Sequence, residues 1–154
     1  MIDPLERLVA LQEIRDLVVR YAQAFDDADW AAFGELWTDD AVFIVDGTAT
    51  FEGKEALLGF LTTCLPDDYQ GRHMNPQTLI ELGDDGLSAT ARTDVVWIPQ
   101  NFENTILARY NDTLVKRDGR WLFQRRHEVP IPYRPGPPPQ SEMANDASGS
   151  TMRE

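Results

Sequence analysis

The order of two hydrophobic periodicities constrains the fold of this chain most: helical spacing comes first and strand-like spacing follows. Leu5–Asp27 predicts one long amphipathic helix, because its apolar residues recur at i, i+3, i+4, i+7 and i+11; they are Ile14, Leu17, Val18, Tyr21 and Phe25. Two shorter helices are predicted at Trp30–Trp37 and Gly53–Leu65, with a strand at Ala41–Asp46 between them.

The rest of the domain predicts strands joined by tight turns. Residues with high strand propensity form four segments, which are Asn75–Leu82, Leu87–Pro99, Asn101–Lys116 and Arg120–Val129. Glycine- and aspartate-rich turns at 83–86 and 118–119 are typical of hairpins. Helices followed by hairpin-linked strands indicate an α+β domain in which the helices cover one sheet.

Length and composition predict a single domain with a tail. The chain has 154 residues, and a typical domain has about 100–150. We place the domain at residues 1–133. Residues 134–154 begin with a proline-rich stretch and continue with small polar residues, which predicts a C-terminal tail without a core of its own.

Charge and hydropathy argue against two classes of partner. The formal net charge of −12 disfavours nucleic acids and anionic membranes, since both require a basic surface. No apolar segment approaches the ~18 residues of a membrane helix, and the first residues lack the pattern of a signal peptide. We therefore expect no nucleic acid, no membrane and a cytoplasmic location.

The two histidines of the chain are candidates for acid–base chemistry, although most histidines are simply packed or exposed. His73 stands near the start of the first long strand, and His127 stands late in the last one. Asp26 falls at the edge of the apolar stripe near the end of the long helix, where a carboxylate is partly desolvated and needs a partner. An aspartate bonded to one imidazole nitrogen fixes the tautomer and leaves the other nitrogen free to take a proton.

Tyr21 lies on the apolar stripe itself. Such a tyrosine usually belongs to the core, and in a pocket it would donate a hydrogen bond to a substrate oxygen. The sequence has no HExxH motif, no cysteine cluster and no glycine-rich phosphate loop. The sequence therefore indicates neither a metal site nor a nucleotide site.

Several segments resemble the SnoaL-like branch of the nuclear transport factor 2-like superfamily. They are Glu13–Leu17, Tyr21, Asp26, Trp37–Ala41 and Asp118–Trp121. That branch includes scytalone dehydratase, bile-acid 7α-dehydratase, hexachlorocyclohexane dehydrochlorinase and polyketide cyclases. The resemblance implies a cone-like α+β barrel, in which a curved mixed or antiparallel sheet wraps around N-terminal helices and encloses one apolar pocket.

The resemblance also implies four catalytic residues. Eliminating members of the branch use an Asp–His dyad, and Asp26 and His73 match it in position and spacing. Tyr21 matches a tyrosine of the bile-acid dehydratase, and Arg126 matches an arginine of the dehydrochlorinase. The second catalytic histidine of scytalone dehydratase has no counterpart in residues 93–99.

The implied function is a cofactor-independent lyase, a dehydratase or related β-eliminating enzyme, acting on a small hydrophobic cyclic or aromatic substrate. One alternative is an isomerase or polyketide-cyclase-like enzyme that uses the same dyad. Another is a non-catalytic subunit resembling the β subunit of ring-hydroxylating dioxygenases. Relatives form dimers or trimers, so the resemblance implies a homo-oligomer.

Overall fold

The computed structural model describes residues 2–64 and 70–132, and three helices and six strands follow one another along this part of the chain. In chain order they are α1 (Pro4–Asp26), α2 (Trp30–Gly34), β1 (Trp37–Val45), β2 (Ala49–Glu52), α3 (Lys54–Cys64), β3 (Gly71–Leu82), β4 (Ser88–Pro99), β5 (Ile106–Arg117) and β6 (Arg120–Pro130).

The strands form one curved, unclosed sheet in the order β2-β1-β6-β5-β4-β3. All neighbouring strands are antiparallel except β1 and β6, which pair in parallel. A parallel pair needs a long connection, and residues 46–119 supply it with four further strands and α3. The predicted α+β class with helices before the long strands is confirmed, and the sheet is the mixed rather than the purely antiparallel variant.

Local side chains set the starts of the first two helices. The Asp3 carboxylate accepts hydrogen bonds from the backbone N–H groups of Leu5 (2.8 Å) and Glu6 (3.3 Å), which caps α1. Asp29 caps α2 through the N–H of Ala32 at 3.0 Å. The apolar stripe of α1 is buried and contacts β3 and β6, so the helix lies across the inner face of the sheet.

Several elements of the structure differ from the prediction. The second helix ends at Gly34 rather than Trp37, because Trp37 pairs with Phe123 at the start of β1 and is buried in the core. The sequence does not predict the short strand β2, since four residues carry too little pattern. Strand β5 begins five residues later than predicted, at Ile106.

Strand β3 begins at Gly71, earlier than the predicted Asn75, and therefore includes His73. An added Cβ at Gly71 would lie 2.3 Å from the Trp97 ring and 2.8 Å from the Ile98 carbonyl oxygen. Only glycine permits this close approach of β3 to β4. The glycine thus fixes the strand position two residues before His73.

The predicted tail, residues 134–154, and the predicted domain boundary at residue 133 lie outside the described residues. In the described part of the chain, no helix combines the length and the apolar character needed to cross a membrane.

We predict opposite effects for alanine at two glycines. Gly71→Ala should lower the free energy of unfolding by about 1–3 kcal/mol, because the backbone and Trp97 must move apart. Gly59→Ala, in helix α3 where an added Cβ meets nothing within 4 Å, should raise it by about 0.5–1 kcal/mol. Urea unfolding of both variants measures the difference, and a Gly71→Ala protein as stable as wild type would contradict the close approach.

Candidate functional site

The end of helix α1 and the start of strand β3 meet through one carboxylate. Asp26, the last residue of α1, accepts a hydrogen bond from the His73 backbone N–H at 2.8 Å through Oδ2. Its Oδ1 lies 2.6 Å from Nδ1 of the His73 ring. The side chains of His73 and Asp26 are only 4% and 6% exposed, so the contact is shielded from water. The contact expected from their spacing is therefore present.

The other ring nitrogen of His73 is directed toward a second buried group. Nε2 lies 3.3 Å from the hydroxyl of Tyr110 on strand β5. Because Asp26 accepts from Nδ1, the ring proton belongs on Nδ1, and Nε2 presents its lone pair. His73 is thus oriented as a proton acceptor whose free nitrogen faces away from the aspartate.

A cavity of about 130 Å³ lies between α1, α3 and the inner face of the sheet, and His73 forms part of its wall. Most of its lining is apolar, with side chains such as Phe25, Phe60 and Val95. Within the described part of the chain, the titratable groups that line it belong to Tyr21, His73, Tyr110 and Glu128. A concave apolar space with a few convergent polar groups is the usual form of a small-molecule site.

A larger and more open depression of about 640 Å³ adjoins the cavity around residues 99–104. It shares Trp97 and Ile106 with the cavity but contains none of the four predicted catalytic residues.

Arg126 does not line the cavity but lies behind two of its tyrosines. Its guanidinium is 3.9 Å from the Tyr21 ring centre and 4.0 Å from that of Tyr110. The side chain is 0% exposed and is bound by both oxygens of Asp112, with Nε and Nη2 each at 2.8 Å. The fourth predicted residue therefore contacts the tyrosines directly and the cavity only through them.

Burial and charge keep these groups in defined protonation states. Burial raises the pKa of the Tyr21 hydroxyl above its usual 10.0, although the Arg126 charge opposes the rise. Burial likewise holds the pKa of Tyr110 well above that value. Burial alone would lower the pKa of Arg126, but the Asp112 charge outweighs it and raises this pKa. Both tyrosines therefore remain hydrogen-bond donors, and the arginine remains a cation.

Three residues of this site are missing from the candidates that the sequence indicates. Tyr110 and Asp112 lie on the buried face of β5 together with Ala108 and Leu114. The charged Asp112 interrupts the apolar residues of this alternating pattern, and the sequence alone could have marked it as a candidate for that reason. Glu128 lines the cavity, and no comparable signal marks it. Among residues 2–64 and 70–132, no group of three or more His, Cys, Asp or Glu side chains is arranged to hold a metal ion.

We predict a non-additive effect of substitutions at the buried ion pair. Arg126→Met alone should lower the free energy of unfolding by about 3–5 kcal/mol, because the Asp112 carboxylate loses its partner in the core. Combining Arg126→Met with Asp112→Leu should recover most of that loss. Chemical denaturation of wild type, both single variants and the double variant tests this, and losses that simply add in the double variant would show that the pair is not coupled.

Comparison with known proteins finds one family along most of the chain. The family model for the SnoaL-like domain matches residues 6–127. A γ-hexachlorocyclohexane dehydrochlorinase from Sphingobium indicum is 26% identical over 129 residues, which cover 80% of this chain and 81% of the relative. A protein of unknown function from Mycobacterium tuberculosis superposes with a TM-score of 0.75 at 24% identity, covering 85% of this chain and 78% of that one.

A further solved structure, an NTF2-like protein with a cystatin-like fold from Novosphingobium aromaticivorans, superposes with a TM-score of 0.73 at 25% identity. The match covers 82% of this chain and 85% of that one. The family match spans both helix α1 with Asp26 and strand β3 with His73. The chain therefore belongs to the SnoaL-like domain family of the nuclear transport factor 2-like superfamily.

Proposed function

We propose that this protein is a lyase that carries out a β-elimination on a small hydrophobic cyclic or aromatic ketone, with His73 as the base. Nε2 of His73 takes a proton from the carbon next to the carbonyl group, and the group on the β carbon leaves. The reaction balances without a cofactor, because the proton passes to the base and the leaving group departs with its bonding electrons.

The observation that carries the proposal is the placement of His73. Its ring lies in the wall of an apolar cavity while its Nδ1 is held by the buried Asp26 carboxylate at 2.6 Å. The aspartate stabilises the imidazolium that forms when Nε2 takes a proton, as the charge develops out of contact with water. A base placed in this way contributes about 10²–10⁴-fold to the rate.

The tyrosines have a separate role in the proposal. Proton abstraction next to a carbonyl group puts negative charge on its oxygen. Tyr21 and Tyr110 line the same cavity, remain protonated and are backed by the Arg126 cation. Their hydroxyls can donate hydrogen bonds to that oxygen, and the positive charge behind them favours its negative charge.

Two observations favour elimination over the alternatives. The relative from Sphingobium indicum is named as a dehydrochlorinase, and loss of hydrogen chloride is itself an elimination. A non-catalytic subunit has no need for a cavity with an oriented histidine in its wall. An isomerase would use the same base and return the proton to another carbon, so product analysis distinguishes it from a lyase.

We predict that His73, and not His127, is required for turnover. The probes are cyclohexanones and indanones that carry a hydroxyl or chloride on the β carbon, and the readout is absorbance of the enone product. His73→Gln retains an amide donor for Asp26 but no base, so kcat/KM should fall by about 10²–10⁴-fold.

The matched control is His127→Gln. His127 lies on strand β6, where its Nε2 contacts the exposed Asp46 carboxylate at 3.0 Å, and it does not line the cavity. This variant should retain wild-type kcat/KM. Equal activity of the His73→Gln protein and wild type would refute the assignment of the base. A wild-type protein that exchanges the α-hydrogen for deuterium but never releases the β substituent would have the base without the lyase activity.

A further inference from the structure

Glu128 places a carboxyl group in the same cavity as His73 but on a different strand. It belongs to strand β6, whereas His73 belongs to β3 at one edge of the sheet, and the curvature of the sheet brings both into one wall. Its ladder neighbours are Tyr110 on β5 and Val45 on β1. The cavity thus contains one base and one carboxyl group that approach it from separate strands.

The surroundings of Glu128 favour its neutral form. The titratable groups around it come from four elements: Arg126 on its own strand, Tyr110 on β5, His73 on β3 and Tyr21 on α1. The neighbours from β1 and α3 are apolar, namely Val45, Phe60 and Leu61. Asp46, whose N–H donates to the Glu128 carbonyl, directs its own carboxylate to His127.

Burial raises the pKa of the Glu128 carboxyl above its usual 4.5, and this effect exceeds the lowering by the Arg126 charge and by the charge that His73 carries once it is protonated. A carboxylic acid that keeps its proton in an apolar site can donate it to a reacting oxygen.

The leaving group decides whether an elimination needs such a donor. Chloride is a stable anion and departs without a proton. Hydroxide is a poor leaving group, and a hydroxyl departs readily only as water, after an acid has transferred a proton to its oxygen. A carboxyl group that holds its proton in the same cavity as the base would have no role in dehydrochlorination, but it is what a dehydration requires.

We propose that Glu128 is the general acid of this site and that the natural substrate is a β-hydroxy ketone, from which the enzyme removes water. This inference rests on the proposed function. His73 takes the proton from the α carbon, the carbon–oxygen bond breaks, and the Glu128 proton passes to the departing oxygen. The products are the enone and water, and the proton on His73 returns through solvent to the Glu128 carboxylate before the next turnover.

The test compares leaving groups in matched variants. Wild type, Glu128→Gln and Glu81→Gln are assayed with β-hydroxyindanone and β-chloroindanone and with the corresponding cyclohexanones. Glu128→Gln should lower kcat/KM for the hydroxy ketones by about 10²-fold and leave the chloro ketones within about threefold of wild type. Glu81→Gln removes a carboxyl group at an exposed position of β3 and should match wild type with both.

Failure of this inference differs from failure of the proposed function. Equal losses on both leaving groups, or a wild-type enzyme that accepts only the chloro ketones, would overturn the role of Glu128 and leave His73 as the base. Turnover that survives in His73→Gln, or no turnover of any probe by wild type, would overturn the lyase proposal and this inference with it.

A stability measurement checks the environment of Glu128 without any substrate. Because its pKa is raised in the folded state, wild type should lose stability as the pH rises from 4.5 through the higher folded value. Glu128→Gln cannot ionise, so its Tm should exceed that of wild type at pH values above this window and approach it below pH 4.5. A Gln variant that matches wild type below pH 4.5 but is less stable at neutral pH would mean that Glu128 is needed as an anion, which excludes it as the acid.

Discussion

The two hydrogen bonds of the Asp26 carboxylate hold the site together. One oxygen binds the backbone of His73 and the other binds its ring, so a single side chain fixes both the strand and the imidazole orientation. A buried carboxylate is costly unless its oxygens are satisfied. The end of α1 must therefore lie against the start of β3, and that contact sets how the helix crosses the sheet.

A second buried charge completes the interior on the other side of Tyr21. Arg126 and Asp112 form a fully buried pair in an otherwise apolar core. Apolar residues of similar volume stabilise a core as well as such a pair does, so stability gives little reason for it. In the proposed reaction its place behind Tyr21 and Tyr110 gives a functional one, since a fixed cation strengthens hydroxyl donors that face developing negative charge.

The sequence predicts the helices and the succession of long strands because both depend on local periodicity. The Asp26–His73 contact is predicted through the resemblance to the SnoaL-like branch, whose dyad both residues match. Prediction from periodicity fails where a β-bulge changes the alternation. Strand β6 contains one extra residue between the pairs Leu114↔Phe123 and Thr113↔Arg125. Strict alternation of faces, counted from the inward-facing Phe123, would therefore place Arg126 and Glu128 on the outer face of the sheet. The pairing partner is needed to see that both point inward. Tyr110 and Asp112 show a different reason for failure. They belong to the candidate site only through their contacts with Tyr21 on α1 and Arg126 on β6, and no single segment of the sequence contains these partners.

The central claim, that His73 held by Asp26 removes a proton from carbon, is tested most directly without any leaving group. Indanone itself is incubated with the protein in deuterated water, and loss of its α-proton signals is followed by NMR. The account predicts that wild type catalyses this exchange and that Asp26→Asn slows it by about 10²-fold or more, because the imidazolium loses its counter-charge. Exchange that proceeds equally fast in wild type and Asp26→Asn, or that wild type does not catalyse, would contradict it.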